Sequence, residues 1–203
     1  MIFVFKNDLP STINLPGDIA IDTETMGLNI SRDRLCVLQL TNGDGNIYLV
    51  HFDGSDYRAP NLKAILSDNS STKIFHYARF DLAVIEYYLD ISIQENIFCT
   101  KVASKIARTY TEYHGLKNLC NELLGINLSK QMQASFWGTQ SLSEEQKEYA
   151  ARDVIYLHKL KEALINLLTR ENRIELAMEA FKIIPFKVKL DLLGWGEVDI
   201  FSH

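Results

Sequence analysis

Short apolar runs punctuated by turn residues fill the first half of the chain. Ile2–Phe5 is one. Asp18–Thr23 (D-I-A-I-D-T) is another, entered through the turn pair Pro16-Gly17. Leu35–Leu40 (L-C-V-L-Q-L) and Ile47–Phe52 (I-Y-L-V-H-F) flank Asn42-Gly43-Asp44-Gly45-Asn46, and two β-rich runs around such a loop predict a hairpin. Lys73–His76 reads as a brief strand. Pro60 opens a short helix with Leu62, Ile65 and Leu66 on one face, and Arg79–Leu89 is also helical.

Helical spacing dominates the second half. Lys101–Arg108 is one segment, and Leu116, Leu119, Leu123 and Leu124 mark another, stopped by Gly125. The longest predicted helix starts at Ser143, where Ser143 and Gln146 make a capping box, and continues through Leu157, Leu160, Leu164 and Leu167. A hairpin followed by strand–helix alternation predicts an α/β fold with a mixed β-sheet flanked by helices. Residues 1–203 read as a single domain, without internal repeat or linker. The 189–203 tail is too apolar for a disordered end; Trp195, Ile200 and Phe201 need cover, from their own subunit or from a subunit interface.

Composition narrows the classes. With 47% hydrophobic and 23% charged residues the chain is ordinary globular material. No apolar run approaches the ~18 residues of a membrane span, and Met1–Asp8 lacks the features of a signal peptide. Cys36, Cys99 and Cys120 stand far apart without a C-x-x-C pair, the pattern of buried reduced thiols in a cytoplasmic protein. A net charge of −5 argues against broad binding to long duplex nucleic acid, but not against a short substrate.

The candidate chemistry is carboxylate chemistry. Asp22 and Glu24 stand two apart at the end of an apolar strand, so they share a face. Asp81 follows the strand Lys73–His76 at a strand-to-helix junction, and Tyr149 and Asp153 are four apart on the capped helix. Taken singly, each has a plainer reading: a surface acid, an N-cap, a solvated tyrosine. Gathered together, four acids bring a formal charge of −4, which two divalent cations balance. That suits a two-metal phosphoryl-transfer site with metals ~3.5–4 Å apart. All-oxygen donors favour Mg2+ or Mn2+, and no His/Cys cluster suggests zinc.

Three segments carry a resemblance: Ile19–Leu28 (I-A-I-D-T-E-T-M-G-L), His76–Asp81 (H-Y-A-R-F-D) and Tyr149–Asp153 (Y-A-A-R-D), the last extending over Leu142–Leu157. In this order they resemble the three motifs of the DEDD exonuclease superfamily, and the Y-x-x-x-D form resembles its tyrosine branch, the ribonuclease D-like family. The resemblance implies a ribonuclease H-like fold and 3′→5′ exonuclease activity. It also implies that Asp22, Glu24, Asp81 and Asp153 ligate two metals, while Tyr149 orients the attacking water. Cys99–Lys117 and Leu190–Phe201 are further similar to the nanoRNase C family. That likeness implies very short single-stranded RNA, chiefly dinucleotides, as substrate, nucleoside 5′-monophosphates as product, and a homo-octamer. Because the chain ends at His203, the helical nucleic-acid-binding domains of ribonuclease D are expected to be absent.

Substrate contacts are the less determined part. Lys101, Lys105 and Arg108 fall at helical spacing, as a basic stripe for phosphate or as a solvated face. Leu28 matches the residue that wedges terminal bases in the superfamily, the alternative being a core leucine. Phe80 reads as a base-stacking or a core residue, and His76 as a substrate contact or an interior histidine. Lys130, Gln133 and Trp137 lie in a segment resembling the loop before the third motif, although Phe136 replaces the usual acid. Competing functions are an exonuclease acting on longer RNA or DNA ends, and a non-catalytic RNA-binding or scaffold subunit on the same fold.

Overall fold

A computed structural model describes residues 1–128, 135–200 and 202. The first strands are β1 (Ile2–Lys6), β2 (Ile19–Thr25), β3 (Leu35–Thr41) and β4 (Ile47–His51). After α1 (Pro60–Ser67) come β5 (Lys73–Phe75), α2 (Ala78–Leu89) and β6 (Ile97–Cys99). Helices α3 (Thr100–Ala107), α4 (Leu116–Leu124), α5 (Glu144–Ile155), α6 (Leu157–Arg170) and α7 (Ile174–Leu192) follow. The strands form one mixed sheet in the order β1-β4-β3-β2-β5-β6. β2, β3 and β4 run antiparallel in turn, whereas β1 joins β4, β5 joins β2 and β6 joins β5 in parallel. The hairpin, α1, β5, α2 and α4 therefore fall where the polarity pattern put them.

Burial explains the order. All seven residues of β3 are buried, as a central strand covered on both faces requires. β1 is largely exposed along its length, as an edge strand is. α5 packs across β2, β3 and β4, while α2 and α3 are held by α7 and α6. The three cysteines are unpaired and buried. Among the described residues no helix is long and apolar enough to cross a membrane.

Two expectations need correction. The helix predicted from Ser143 through Leu167 is two helices. Its capping box is present, with Ser143 N donating to Gln146 Oε1 at 3.0 Å and Gln146 N to Ser143 Oγ at 3.2 Å, but the chain breaks at Tyr156 (φ −100°, ψ −5°). After that break Leu157, Leu160, Leu164 and Leu168, rather than Leu167, face the core. The longest described helix is α7, 19 residues with Pro185 inside it, where a proline reads in sequence as a stop. The three-residue β6 escapes notice because it is too short for a period. Of the tail, Leu190 is buried and Leu192 packs on the core, whereas Trp195 is 57% exposed and Leu193 74%; Phe201 lies outside the described residues. The tail is fastened to α2 by Arg79, which donates to Asp191 Oδ2 at 2.6 Å and to the Gly196 carbonyl at 2.8 Å.

Candidate active site

A cleft of about 650 Å³ opens where the end of β2, the first turn of α2, the start of α4 and the face of α5 meet. Strand alternation delivers Asp22 and Glu24 to it side by side. Helical spacing delivers Tyr149 and Asp153 from the opposite wall. Carboxylate oxygens of Asp22, Glu24 and Asp153 all lie within 4.8 Å of one another. Asp81 sits just beneath, almost wholly buried, accepting a 2.7 Å hydrogen bond from the Thr23 hydroxyl. The four acids and the tyrosine that the sequence singles out thus converge.

Their partners are neutral. Asp22 accepts from the Gln39 amide at 2.7 Å, and Asp153 from the Tyr149 hydroxyl. Among the described residues none of the four forms a salt bridge. Burial, followed by the charge of the other acids, pushes Asp22 and Glu24 well above the carboxylate range. Burial raises Asp81 to about 7 against the Thr23 hydrogen bond, and raises Asp153 to about 7 against Tyr149 and Arg152. Burial and the neighbouring acids also raise Tyr149, so its hydroxyl keeps its proton through neutral pH. Crowded, hard-oxygen, unneutralised donors fit a Mg2+- or Mn2+-type cation.

The loop after β2 is shaped by an irregularity in the β2–β3 ladder at Glu24/Thr25. Gly27 then passes Asp33 so closely that a Cβ would lie 2.3 Å from its Oδ2. Asp33 accepts from Asn29 N at 3.0 Å and Arg32 Nε at 2.7 Å, closing the loop. Leu28 is left 84% exposed at the cleft, which excludes the core reading. His76, Phe80 and Trp137 also line the cleft. His76 Nδ1 pairs with Thr100 Oγ1 at 2.9 Å, and burial followed by the charge of Lys101 lowers its pKa to about 3, so the ring is neutral. Trp137 is buried with its ring 6.0 Å from Tyr149 and its Nε1 unpartnered.

The basic stripe does not survive as read. Arg108 is wholly buried, donating to Ser104 Oγ at 3.1 Å and the Tyr113 carbonyl at 3.0 Å and pairing with Glu122. It braces the chain leading into α4 and is no phosphate contact. Lys105 is exposed and lies outside the cleft lining. Among the described residues, the cations at the cleft are Lys101, 4.0 Å over the Tyr77 ring, and Lys117. Lys130 and Gln133 lie outside the described residues. Gln39 is the residue that sequence reading passed over, although a lone amide inside an otherwise apolar strand was its visible signal.

Comparison with known proteins agrees with this geometry. Residues 6–169 match the profile of a family described as 3′-5′ exonuclease. The structure of Brucella melitensis NrnC bound to pGG is 49% identical, with TM-score 0.95 over 100% of this chain and 98% of that one. The same protein with bound Mg2+ is 48% identical, with TM-score 0.93 over the same shares. Ribonuclease D of Gluconacetobacter diazotrophicus is 32% identical over 77% of this chain and 39% of its own length. The chain spans about two fifths of the length of the curated ribonuclease D relatives it matches.

Proposed function

The chain belongs to the 3′-5′ exonuclease family and is a nuclease of the ribonuclease D-like type, and from that premise we propose that it hydrolyses very short single-stranded RNA, down to dinucleotides, to nucleoside 5′-monophosphates. The observation that carries this reading is the meeting of Asp22, Glu24 and Asp153 within 4.8 Å in one cleft. The substrate length draws support from the whole-length likeness to a protein described as bound to pGG. It also draws support from the cleft volume, which falls within the ~300–1,000 Å³ of small-ligand pockets.

Asp22, Glu24, Asp81 and Asp153 are the residues to hold two divalent ions, Mg2+ or Mn2+, their −4 matched by +4. When bound, such ions acidify the attacking water and stabilise charge at phosphorus. Tyr149, protonated through neutral pH, hydrogen-bonds the water and aims it in line with the scissile bond. The water oxygen bonds to phosphorus as it gives up a proton to solvent, the P–O3′ bond breaks, and the departing O3′ takes a proton from solvent. Leu28, exposed on its loop, wedges against the bases, and Phe80 offers a face for stacking. Neutral His76 and the Trp137 N–H supply hydrogen bonds, and Lys101 and Lys117 give a rim of positive charge for one or two phosphates.

In this reading residues 1–203 are one exonuclease domain working in a homo-octamer in the cytoplasm. The exposed Phe186, Leu193, Trp195 and Val198 support a subunit contact, and the three unpaired buried thiols a reducing compartment. A length series decides the substrate: initial rates on RNAs of two, five and twenty nucleotides with Mg2+ and with Mn2+. The fastest release of mononucleotides is expected from the shortest. Preference for twenty would defeat the dinucleotide reading, and no metal-dependent release at any length would defeat the nuclease reading. Mass in solution measures the assembly.

A further inference from the structure

Gln39 sits near the end of β3, wholly buried between Leu38 and Leu40. Its register partner across the antiparallel ladder is Asp22, and its Nε2 donates to Asp22 Oδ2 at 2.7 Å. Glu24 stands two residues on from Asp22, on the same face of β2. Its carbonyl oxygen, Oε1, is buried without a partner.

This arrangement is a poor choice for the core alone. A leucine here would match its neighbours and leave no unsatisfied carbonyl. What the amide adds is restraint of the acids. Two carboxylates two residues apart on one strand repel each other and rotate apart. An amide has two N–H groups and no charge. It occupies one oxygen of Asp22, fixing that carboxylate beside Glu24, yet leaves its negative charge intact. A lysine or arginine at the same place would hold the acids equally well but would neutralise them and displace a cation.

We propose that Gln39 is a positioning residue of the cation site, a neutral clamp that sets the rotation of Asp22 and keeps Asp22 and Glu24 side by side. The inference rests on the reading of these acids as cation ligands. Residues that orient metal ligands are worth ~10–100-fold in metal affinity, and Gln39 belongs among them.

The test is calorimetric titration of the full chain with Mn2+ and Mg2+, for the native protein, Gln39→Leu and Gln39→Met, without substrate. Both replacements are apolar and close in volume, so either serves if the other folds poorly, and melting in chelator verifies the fold. We expect the dissociation constant to rise ~10–100-fold in both variants. A role confined to core packing would shift the melting temperature and leave the ion's affinity unchanged, and that result overturns the proposal. If the native protein itself takes up no divalent cation, the reading of the acids falls first and this inference with it. The two failures are therefore distinct.

Discussion

Two sets of acids in this molecule behave in opposite ways. Asp33 and Asp56 are drawn down to about 2 by hydrogen bonds from Arg32 and Arg58. Asp53 is lowered by Ser55 and Lys6, and Asp18, although burial works against it, by Lys161. Asp22, Glu24, Asp81 and Asp153 instead meet two hydroxyls, an amide and one another, and every one is raised. The chain has cations to spend and spends them away from the cleft floor. A fold that leaves four acids uncompensated in one place has left room for positive charge from outside the chain.

That contrast is open to attack at four points. The largest effect is expected from Asp153→Asn: kcat should fall at least ~10³-fold, since losing a ligand forfeits several kcal/mol at ~1.4 kcal/mol per tenfold. Single-turnover assays measure this, and full activity would put Asp153 outside the site. Next, Tyr149→Phe should lower kcat ~10²-fold at saturating metal, as removal of a water-orienting group does.

The third expectation concerns pH. An acid raised in the folded state stabilises the fold fully below its unfolded value, and loses that contribution as pH climbs through the folded value. In chelator the melting temperature should therefore fall between pH ~4 and ~7, the window set by Asp81 and Asp153. Excess Mg2+ or Mn2+ should flatten that slope. A chelated protein that melts higher at pH 7 than at pH 5 would contradict the picture. The smallest effect is expected from the other set: Asp18→Asn should lower the melting temperature only ~1–3 °C, as surface pairs are worth little, and leave turnover unchanged.

The pairs Asp22/Glu24 and Tyr149/Asp153 are legible because their geometry is local, whereas the grouping of all four acids with Tyr149, Asp81 included, rests on the resemblance of three separate segments to the family's motifs. Residues two apart on a strand, or four apart on a helix, share a face whatever the rest of the fold does. The hairpin and the Ser143 cap are local for the same reason. Gln39 was not legible, because the Asp22↔Gln39 register exists only once β2 and β3 pair. Arg108 failed in the opposite way. Spacing says which residues share a helix face but not whether that face meets solvent, and Glu122, which pairs with Arg108, comes from the next helix. Leu28 was ambiguous in sequence because exposure depends on a loop folded around Asp33, one turn further on.

The three cysteines have a use of their own. Cys36 is buried in the central strand, Cys99 at the end of β6 and Cys120 within α4. Burial pushes Cys36 and Cys120 up to about 11 and raises Cys99 as well, so none offers a thiolate to reagent in the closed fold. Alkylation must then wait for opening. Peptide mapping of a timed iodoacetamide pulse would clock the sheet, its junction with the helices, and the cleft-side helix separately, using only atoms the chain already carries.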